Sequence, residues 1–171
     1  MPDTVFTTAR IVVRRWRDTD LDALLAVYGD EDAMRWVGDG RAITRDECVQ
    51  WLAVTAGNYR RRGYGMFALE ETVAPGTVFG FAGIVHPGGQ AEAEVKYALL
   101  RSHWGRGLAT EAVIGLLAHG ARSHGLKHII ATTAPENAAS HRVLLKAGMQ
   151  WGAVRRNDDG SDTQLFDWRA A

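Results

Sequence analysis

The chain has 171 residues, 46% of them hydrophobic, and its twenty basic residues balance twenty acidic ones. Length and composition predict one globular domain, residues 1–171, whose net charge favours neither nucleic acid nor an anionic membrane as a partner. The single cysteine excludes an internal disulfide, no apolar run approaches the ~20 residues that span a bilayer, and no signal-peptide pattern opens the sequence, so a cytoplasmic protein is expected.

The first third of the chain predicts one strand followed by two helices. Residues 10–16 are short and β-branched, which indicates a strand, and Thr19 then stands where the N-cap of a first helix belongs. A second helix is predicted from the capping box of Thr44 and Glu47 to the break at Gly63. The stretch between the two helices is expected to form a loop or a single turn.

From residue 64 onward the hydrophobic pattern becomes mainly that of strands. Apolar or alternating runs separated by turns rich in proline and glycine predict an antiparallel meander, and later segments alternate between helix and strand. The predicted elements are strands at 64–71, 77–87, 91–100 and 126–134, helices ending near Gly125 and at Gly148, and a final hairpin around 157–162. This order predicts an α/β domain with a mixed sheet that carries helices on its faces.

The segment RSHWGRGLATEA at 101–112 places Gly105 and Gly107 on either side of Arg106, just before a helix. Unpaired N–H groups, the positive end of the helix dipole and the missing side chains suit such a turn to a phosphate, and Arg106 can add a full charge. The segment lacks the Lys-Ser/Thr of a Walker loop, and residue 110 is Thr where a Rossmann fingerprint has a third small residue. The glycines can equally serve only to shape a turn.

Motifs on both sides of this segment narrow its interpretation. EVKY at 94–97 precedes it on a strand, and NAASHRVLLKAGM at 137–149 follows the next strand. Together with RIVVRRW at 10–16, these motifs resemble the GNAT superfamily of acyl-CoA-dependent N-acetyltransferases, specifically its RimJ/RimL-type branch. The resemblance covers nearly the whole chain.

The resemblance implies the GNAT fold: a central mixed, mostly antiparallel sheet of about seven strands, flanked by helices and splayed between strands 4 and 5. It places the pantetheine arm of acetyl-CoA in the gap and the pyrophosphate on residues 103–109. The residues implied to bind the coenzyme are Leu99, Leu100, Trp104, Gly105, Arg106, Gly107, Leu108, Ala109, Asn137 and Arg142. Asn137 is also suited to cap the helix that follows it.

Glu94 is the predicted catalytic base, because it matches the acidic position on the family's fourth strand. Strand alternation also places Glu94 and Lys96 on one face, so a simple surface ion pair is the other interpretation. His86 and His103 are alternative bases with suitable ordinary pKa values.

Ser140 is the predicted acid for the leaving thiolate. Many GNAT members use a tyrosine seven residues after the asparagine, but this chain has Leu144 there. Ser140 is then the hydroxyl nearest the sulfur, unless it only bonds the backbone of its own helical turn.

The sequence therefore predicts transfer of an acetyl group from acetyl-CoA to a primary amine, either a protein N-terminus or a small amine, directly within a ternary complex. No metal site is expected, and the protein is expected to be a monomer or a homodimer. Trp36, Trp51 and Met34 indicate either an apolar wall for the acceptor or ordinary core. Two alternatives are open: a CoA-binding regulatory module without turnover, and a nucleotide-dependent enzyme with a degenerate Rossmann loop.

Overall fold

A computed structural model of the chain describes residues 3–36 and 40–171. Within these residues, eight strands form a sheet in the order β1-β2-β3-β4-β5-β6-β8-β7. The strands are β1 Thr4–Thr7, β2 Ile11–Arg14, β3 Met66–Glu71, β4 Val78–Val85, β5 Ala93–Leu99, β6 His128–Thr133, β7 Gln150–Arg156 and β8 Asp162–Arg169. The helices are α1 Leu21–Tyr28, α2 Glu31–Met34, α3 Arg45–Arg62, α4 Leu108–His124 and α5 Ala138–Lys146.

The sheet confirms the predicted α/β class. Neighbouring strands are antiparallel except β5 and β6, which run parallel. A sheet with a single parallel pair excludes the doubly wound, mostly parallel Rossmann architecture, so the chain lacks the fold that the nucleotide-dependent alternative requires. The predicted strands 4 and 5 are β5 and β6 here, because the structure has one strand more than expected: β1, only four residues long, is too short to show a periodic pattern.

The helix boundaries follow the capping signals with one exception. Thr44 and Glu47 form the predicted capping box of α3, which ends at Gly63 with a φ of 80°. Thr19, predicted to cap α1, instead lies inside a short 3₁₀ turn, and Asp20 precedes the helix. The Asp20 carboxylate accepts the Arg17 N–H and closes this turn, which delays the start of α1.

The stretch between α1 and α3 contains the single turn α2, as expected, while residues 37–39 lie outside the described part of the chain.

Two hydrophobic cores lie on opposite faces of the sheet. The larger packs α4 and Leu144 of α5 against the sheet, and the other packs α1 and α3 around Phe81. Met34 and Trp51 belong to or pack against this second core, so they are core residues. Strand β5 contributes Leu99 to one core and Ala98 to the other, so its side chains alternate between the two cores. Among the described helices, none is both long and apolar enough to cross a membrane.

Candidate active site

The sheet opens between β5 and β6. These strands pair only at Ala93 with Ile129 and at Glu94 with Ile130, and they diverge beyond this point. The opening confirms the predicted splay. The separated strand ends enclose a cavity of about 1450 Å³, which exceeds the roughly 300–1,000 Å³ of a typical small-molecule site.

The cavity is lined from both sides of the sheet. Its floor is formed by β5 and β6, and its walls by the start of α5, the α2 region and the β7–β8 turn. Trp36, which is 43% exposed, is the member of the predicted aromatic wall that reaches this cavity. Two ligands can therefore bind in this cavity at once, each entering from a different side of the sheet.

Backbone groups on the open edge of β5 are available to a ligand. The Leu100 N–H donates to the Phe79 carbonyl at 2.8 Å, so it points toward β4. Because hydrogen-bonded and non-bonded pairs alternate along an antiparallel ladder, the backbone groups of Tyr97 and Leu99 point toward the opening. The Leu99 carbonyl accepts from the Trp104 indole at 3.0 Å, which leaves the Leu99 N–H for a ligand. The sequence predicted coenzyme contacts at both Leu99 and Leu100, but the Leu100 N–H is already bonded to Phe79.

The turn before α4 presents a row of unpaired N–H groups. Gly105 and Gly107 have φ values of 73° and 78°, a backbone conformation that side chains disfavour. Within the described residues, the amides of 105–110 donate no hydrogen bond to a backbone acceptor. Apart from the neighbouring residues of the chain, no atom lies within 4 Å of the position that a Cβ of Gly105 would occupy. The turn thus combines glycine geometry with the unpaired donors and positive dipole end that suit a phosphate.

A polar clamp holds this turn against the first hairpin. Glu111 of α4 accepts from the Thr8 hydroxyl at 2.6 Å and from the Arg10 side chain at 2.7 Å. Arg10 also donates to the Arg106 carbonyl at 2.9 Å. Burial pushes the Glu111 pKa upward, but the hydrogen bonds from Thr8 and Arg10 outweigh it and hold the pKa below its usual value. This clamp was not anticipated from the sequence, because it joins residues about a hundred positions apart.

Arg106 itself is partly neutralised by a neighbour. Its guanidinium lies 2.5 Å from a carboxylate oxygen of Glu71, while about half of the side chain is exposed. The charge that Arg106 offers a phosphate is therefore weaker than the sequence suggested. Other predicted coenzyme contacts differ in exposure: Leu108 is buried, Ala109 is half-buried, and Arg142 is exposed.

Glu94 lies at the point where the sheet opens. It is only 3% exposed, and its carboxylate accepts from the Thr132 hydroxyl at 2.8 Å and from Gln90 Nε2 at 3.3 Å. Lys96 Nζ is 3.6 Å away, so the predicted ion pair exists, but Glu94 is not a surface residue. A buried carboxylate that lines the cavity is placed to take up a proton there.

The two histidines considered as alternative bases lie elsewhere. His86 uses Nε2 to contact the Tyr64 hydroxyl and Nδ1 to contact the Gln90 carbonyl. His103 stacks on Phe79, and burial lowers its pKa. Neither histidine lines the cavity.

Tyr97 and Ser140 form a contact that the sequence did not reveal. Their hydroxyl oxygens are 2.6 Å apart, and both residues line the cavity. Asn137 caps α5 by accepting the Ser140 N–H at 3.2 Å, as one of its two interpretations predicted. Leu144, one turn after Ser140, is buried in the core. The cavity therefore receives a tyrosine from β5 rather than from α5. In the sequence, the tyrosine of EVKY at 94–97 was the signal that could have predicted it.

The candidate groups lie on opposite faces of the sheet. Glu94 shares the face of Ala98, covered by α1 and α3, whereas Tyr97 shares the face of Leu99, covered by α4 and α5. This arrangement suits a reaction in which a proton acceptor and a leaving-group contact act from opposite sides. In the described residues there is no cluster of three or more His, Cys, Asp or Glu side chains that could hold a metal ion.

Similarity to known proteins covers nearly the whole chain. Residues 10–150 match the family model of the acetyltransferase (GNAT) domain. YoaA of Bacillus subtilis (strain 168), named as an uncharacterized N-acetyltransferase, is 27% identical over 170 residues, covering 95% of this chain and 94% of YoaA. A Bordetella pertussis structure, named as a GnaT-family acetyltransferase, superimposes with a TM-score of 0.78 at 28% identity, covering 96% of this chain and 98% of that one.

RimL, a ribosomal L7/L12 alpha-N-protein acetyltransferase solved in complex with coenzyme A, superimposes with a TM-score of 0.81, covering 97% of each chain. Its identity to this chain is 15%, so the likeness concerns the fold alone.

Proposed function

The chain belongs to the GNAT acetyltransferase family, and on that premise we propose that it transfers an acetyl group from acetyl-CoA to a primary amine, directly within a ternary complex. The observation that carries this proposal is the opening of the sheet, with unpaired amides at one end and the buried carboxylate of Glu94 at its base. The acceptor is a protein N-terminus or a small amine. Membership of the RimJ/RimL-type branch stays a prediction.

The coenzyme is proposed to lie along the open edge of β5 and across the turn before α4. Its amide-rich arm pairs with the Leu99 N–H as an added strand would, and its pyrophosphate accepts from the free amides of Gly105 to Ala109. Trp104 and Leu108 shape this turn, one by its bond to Leu99 and the other by burial in the core. Asn137 and Arg142 are proposed to contact the two ends of the coenzyme from α5.

The chemistry requires removal of a proton from the amine and stabilisation of the leaving thiolate. Glu94 is proposed as the base. Because its carboxylate is buried and already accepts two hydrogen bonds, the proton is expected to reach it through a water molecule. Ser140 is proposed to contact the sulfur from the opposite face of the sheet. Proximity of the two substrates in the cavity can supply much of the acceleration.

Thiol release from acetyl-CoA tests this proposal. The acceptor panel pairs a peptide that has a free N-terminus with the same peptide N-acetylated, and adds small primary amines. We expect saturable release of coenzyme A with at least one free amine, an acetylated product by mass spectrometry, and intersecting initial-rate lines, as direct transfer requires. Parallel lines with an acetyl group retained on the protein contradict direct transfer. Tight binding of coenzyme A without turnover of any amine favours the regulatory module instead.

A further inference from the structure

Tyr97 and Ser140 bridge the opening of the sheet. Tyr97 stands on β5 and Ser140 in the first turn of α5, and their oxygens are 2.6 Å apart. Both side chains line the cavity, so the contact is available to a ligand held there. The roles proposed above for the base and for the coenzyme amides do not use Tyr97.

The chemistry of the two hydroxyl groups assigns the direction of this hydrogen bond. A phenol is more acidic than an aliphatic hydroxyl, so Tyr97 donates and Ser140 accepts. Burial raises the pKa of Tyr97 to about 12, against a smaller opposing effect of Ser140, so the phenol keeps its proton near neutral pH. Ser140 Oγ has no second partner among the described residues. Its own hydrogen is therefore free to point into the cavity.

The local structure of α5 supports a ligand-directed role for Ser140. The Asn137 side chain caps the helix by accepting the Ser140 N–H, and the Ser140 hydroxyl takes no part in that bond. Leu144, on the same helix, is buried and offers no polar group. Within the described part of α5, Ser140 is therefore the hydroxyl that reaches the cavity.

We propose that Tyr97 is a positioning residue that directs the Ser140 hydroxyl toward the sulfur of the coenzyme. This inference rests on the proposed acetyl transfer. The amine nitrogen bonds to the acetyl carbon, the carbon–sulfur bond breaks, and its electron pair stays on sulfur. Ser140 donates a hydrogen bond to that thiolate while Tyr97 donates to Ser140, and neither hydroxyl loses its proton. The ammonium loses two protons in all: one leaves through water toward Glu94, and the other is passed through water to the thiolate.

The thiol of bound coenzyme A reports on this arrangement without any acceptor. If Tyr97 and Ser140 stabilise the thiolate, the pKa of the bound thiol lies lower in the wild-type complex than in the variants. The probe is coenzyme A itself, and the thiolate absorbance is followed against pH for the wild type, Tyr97→Phe, Ser140→Ala and the double variant. The ionisable groups around the pair are retained throughout. Glu94, Lys96, Glu136, Asp159 and Asp162 line the same cavity, and His141 follows Ser140 on α5.

We expect Ser140→Ala to raise the pKa of the bound thiol by about one unit, the scale of one hydrogen bond to a charged group. Tyr97→Phe should raise the thiol pKa by less, because the Ser140 hydroxyl remains but no longer has Tyr97 to orient it. The double variant should match Ser140→Ala alone, since Tyr97 acts through Ser140. The same non-additivity is expected in kcat, where Tyr97→Phe should cost about tenfold with the KM for the amine unchanged.

Tyr64→Phe is the matched control. It removes a phenol that contacts His86 at 2.7 Å outside the cavity, so it should leave the thiol pKa and kcat unchanged. A Tyr97→Phe effect that simply adds to that of Ser140→Ala overturns the positioning role, as does an identical thiol pKa in all complexes. Either result leaves acetyl transfer itself intact. Failure of the wild type to bind coenzyme A contradicts the proposed function and this inference together.

Discussion

The two edges of strand β5 are built differently. Toward β4 the strand pairs continuously from Glu94 opposite Val85 to Leu99 opposite Gly80. Toward β6 it pairs at two positions only and then separates from its neighbour. The same residues form a complete ladder on one side, so the opening does not reflect a weak strand sequence.

Different parts of the molecule lie beyond the two edges. Toward β4 the ladder continues into β3 and β2, where the buried Arg14 lies, whereas the gap toward β6 is bounded by the amide-bearing turn and by α5. Unpaired strand edges invite another chain unless they are covered or used. The closed edge joins β5 to the rest of the sheet while the open edge faces the cavity, and the following substitutions separate stability from ligand binding.

The largest effect is expected away from the opening, from Arg14→Met on β2. Arg14 is 3% exposed and binds both Asp20 and Glu70, so its removal leaves two buried carboxylates without their cation. Loss of one partner of a buried ion pair costs about 3–5 kcal/mol, which we expect as a lower free energy of unfolding in chemical denaturation. The affinity of the folded fraction for coenzyme A should not change.

Arg17→Met is the control for this prediction, since Arg17 pairs with Asp3 at the surface and its loss should have little effect. Equal effects of the two substitutions would mean that burial does not distinguish these ion pairs.

On the open side, Gly107→Glu should weaken coenzyme A binding by roughly two orders of magnitude or more, because it brings a like charge and bulk to the proposed pyrophosphate position. Any side chain is strained at a φ of 78°, so Gly107→Ala carries the same backbone cost without the charge. The difference between the two variants in calorimetry isolates the phosphate contact. Equal affinities would remove this turn from the coenzyme site.

Glu94→Gln tests the residue at which β5 stops pairing with β6. The amide keeps the size of the side chain but cannot take up a proton, so kcat should fall about a hundredfold while coenzyme A affinity is retained. Glu92→Gln changes an exposed glutamate just before β5 and should have little effect. A kcat and pH profile like those of the wild type would exclude Glu94 as the base.

The smallest effect is expected from Glu111→Gln, which loosens the clamp on the amide-bearing turn. The Glu111 pKa is lower in the folded protein than the ordinary glutamate value of 4.5, so its charge stabilises the fold above that value and the contribution is lost as the pH falls through the folded pKa. We expect a deficit of about 1 kcal/mol in unfolding free energy near neutral pH. Denaturation at several pH values should show this deficit shrinking in acid, and a constant deficit would contradict the clamp.

Much of the fold was predictable from local signals. The capping box of Thr44 and Glu47, the left-handed glycine at 63 and the alternating runs of the meander each act within a few residues, so the chain alone specifies them. Short or non-local features were not predictable. Strand β1 is too short for a pattern, the position of β8 between β6 and β7 depends on the whole sheet, and Asp20 displaced Thr19 at the start of α1 through a contact with Arg17.

By itself, the sequence determined the class of the domain, the resemblance to acyl-CoA-dependent acetyltransferases, and the glycine turn before α4, because each depends on residue order within one segment or on motifs in series. Only the tertiary structure decided that Glu94 is buried beside Thr132, that Arg106 is paired with Glu71, and that Tyr97 reaches Ser140 across the opening. Those contacts join residues 35 to 43 positions apart, and the contacts of Glu94 and Tyr97 lie where β5 and β6 separate.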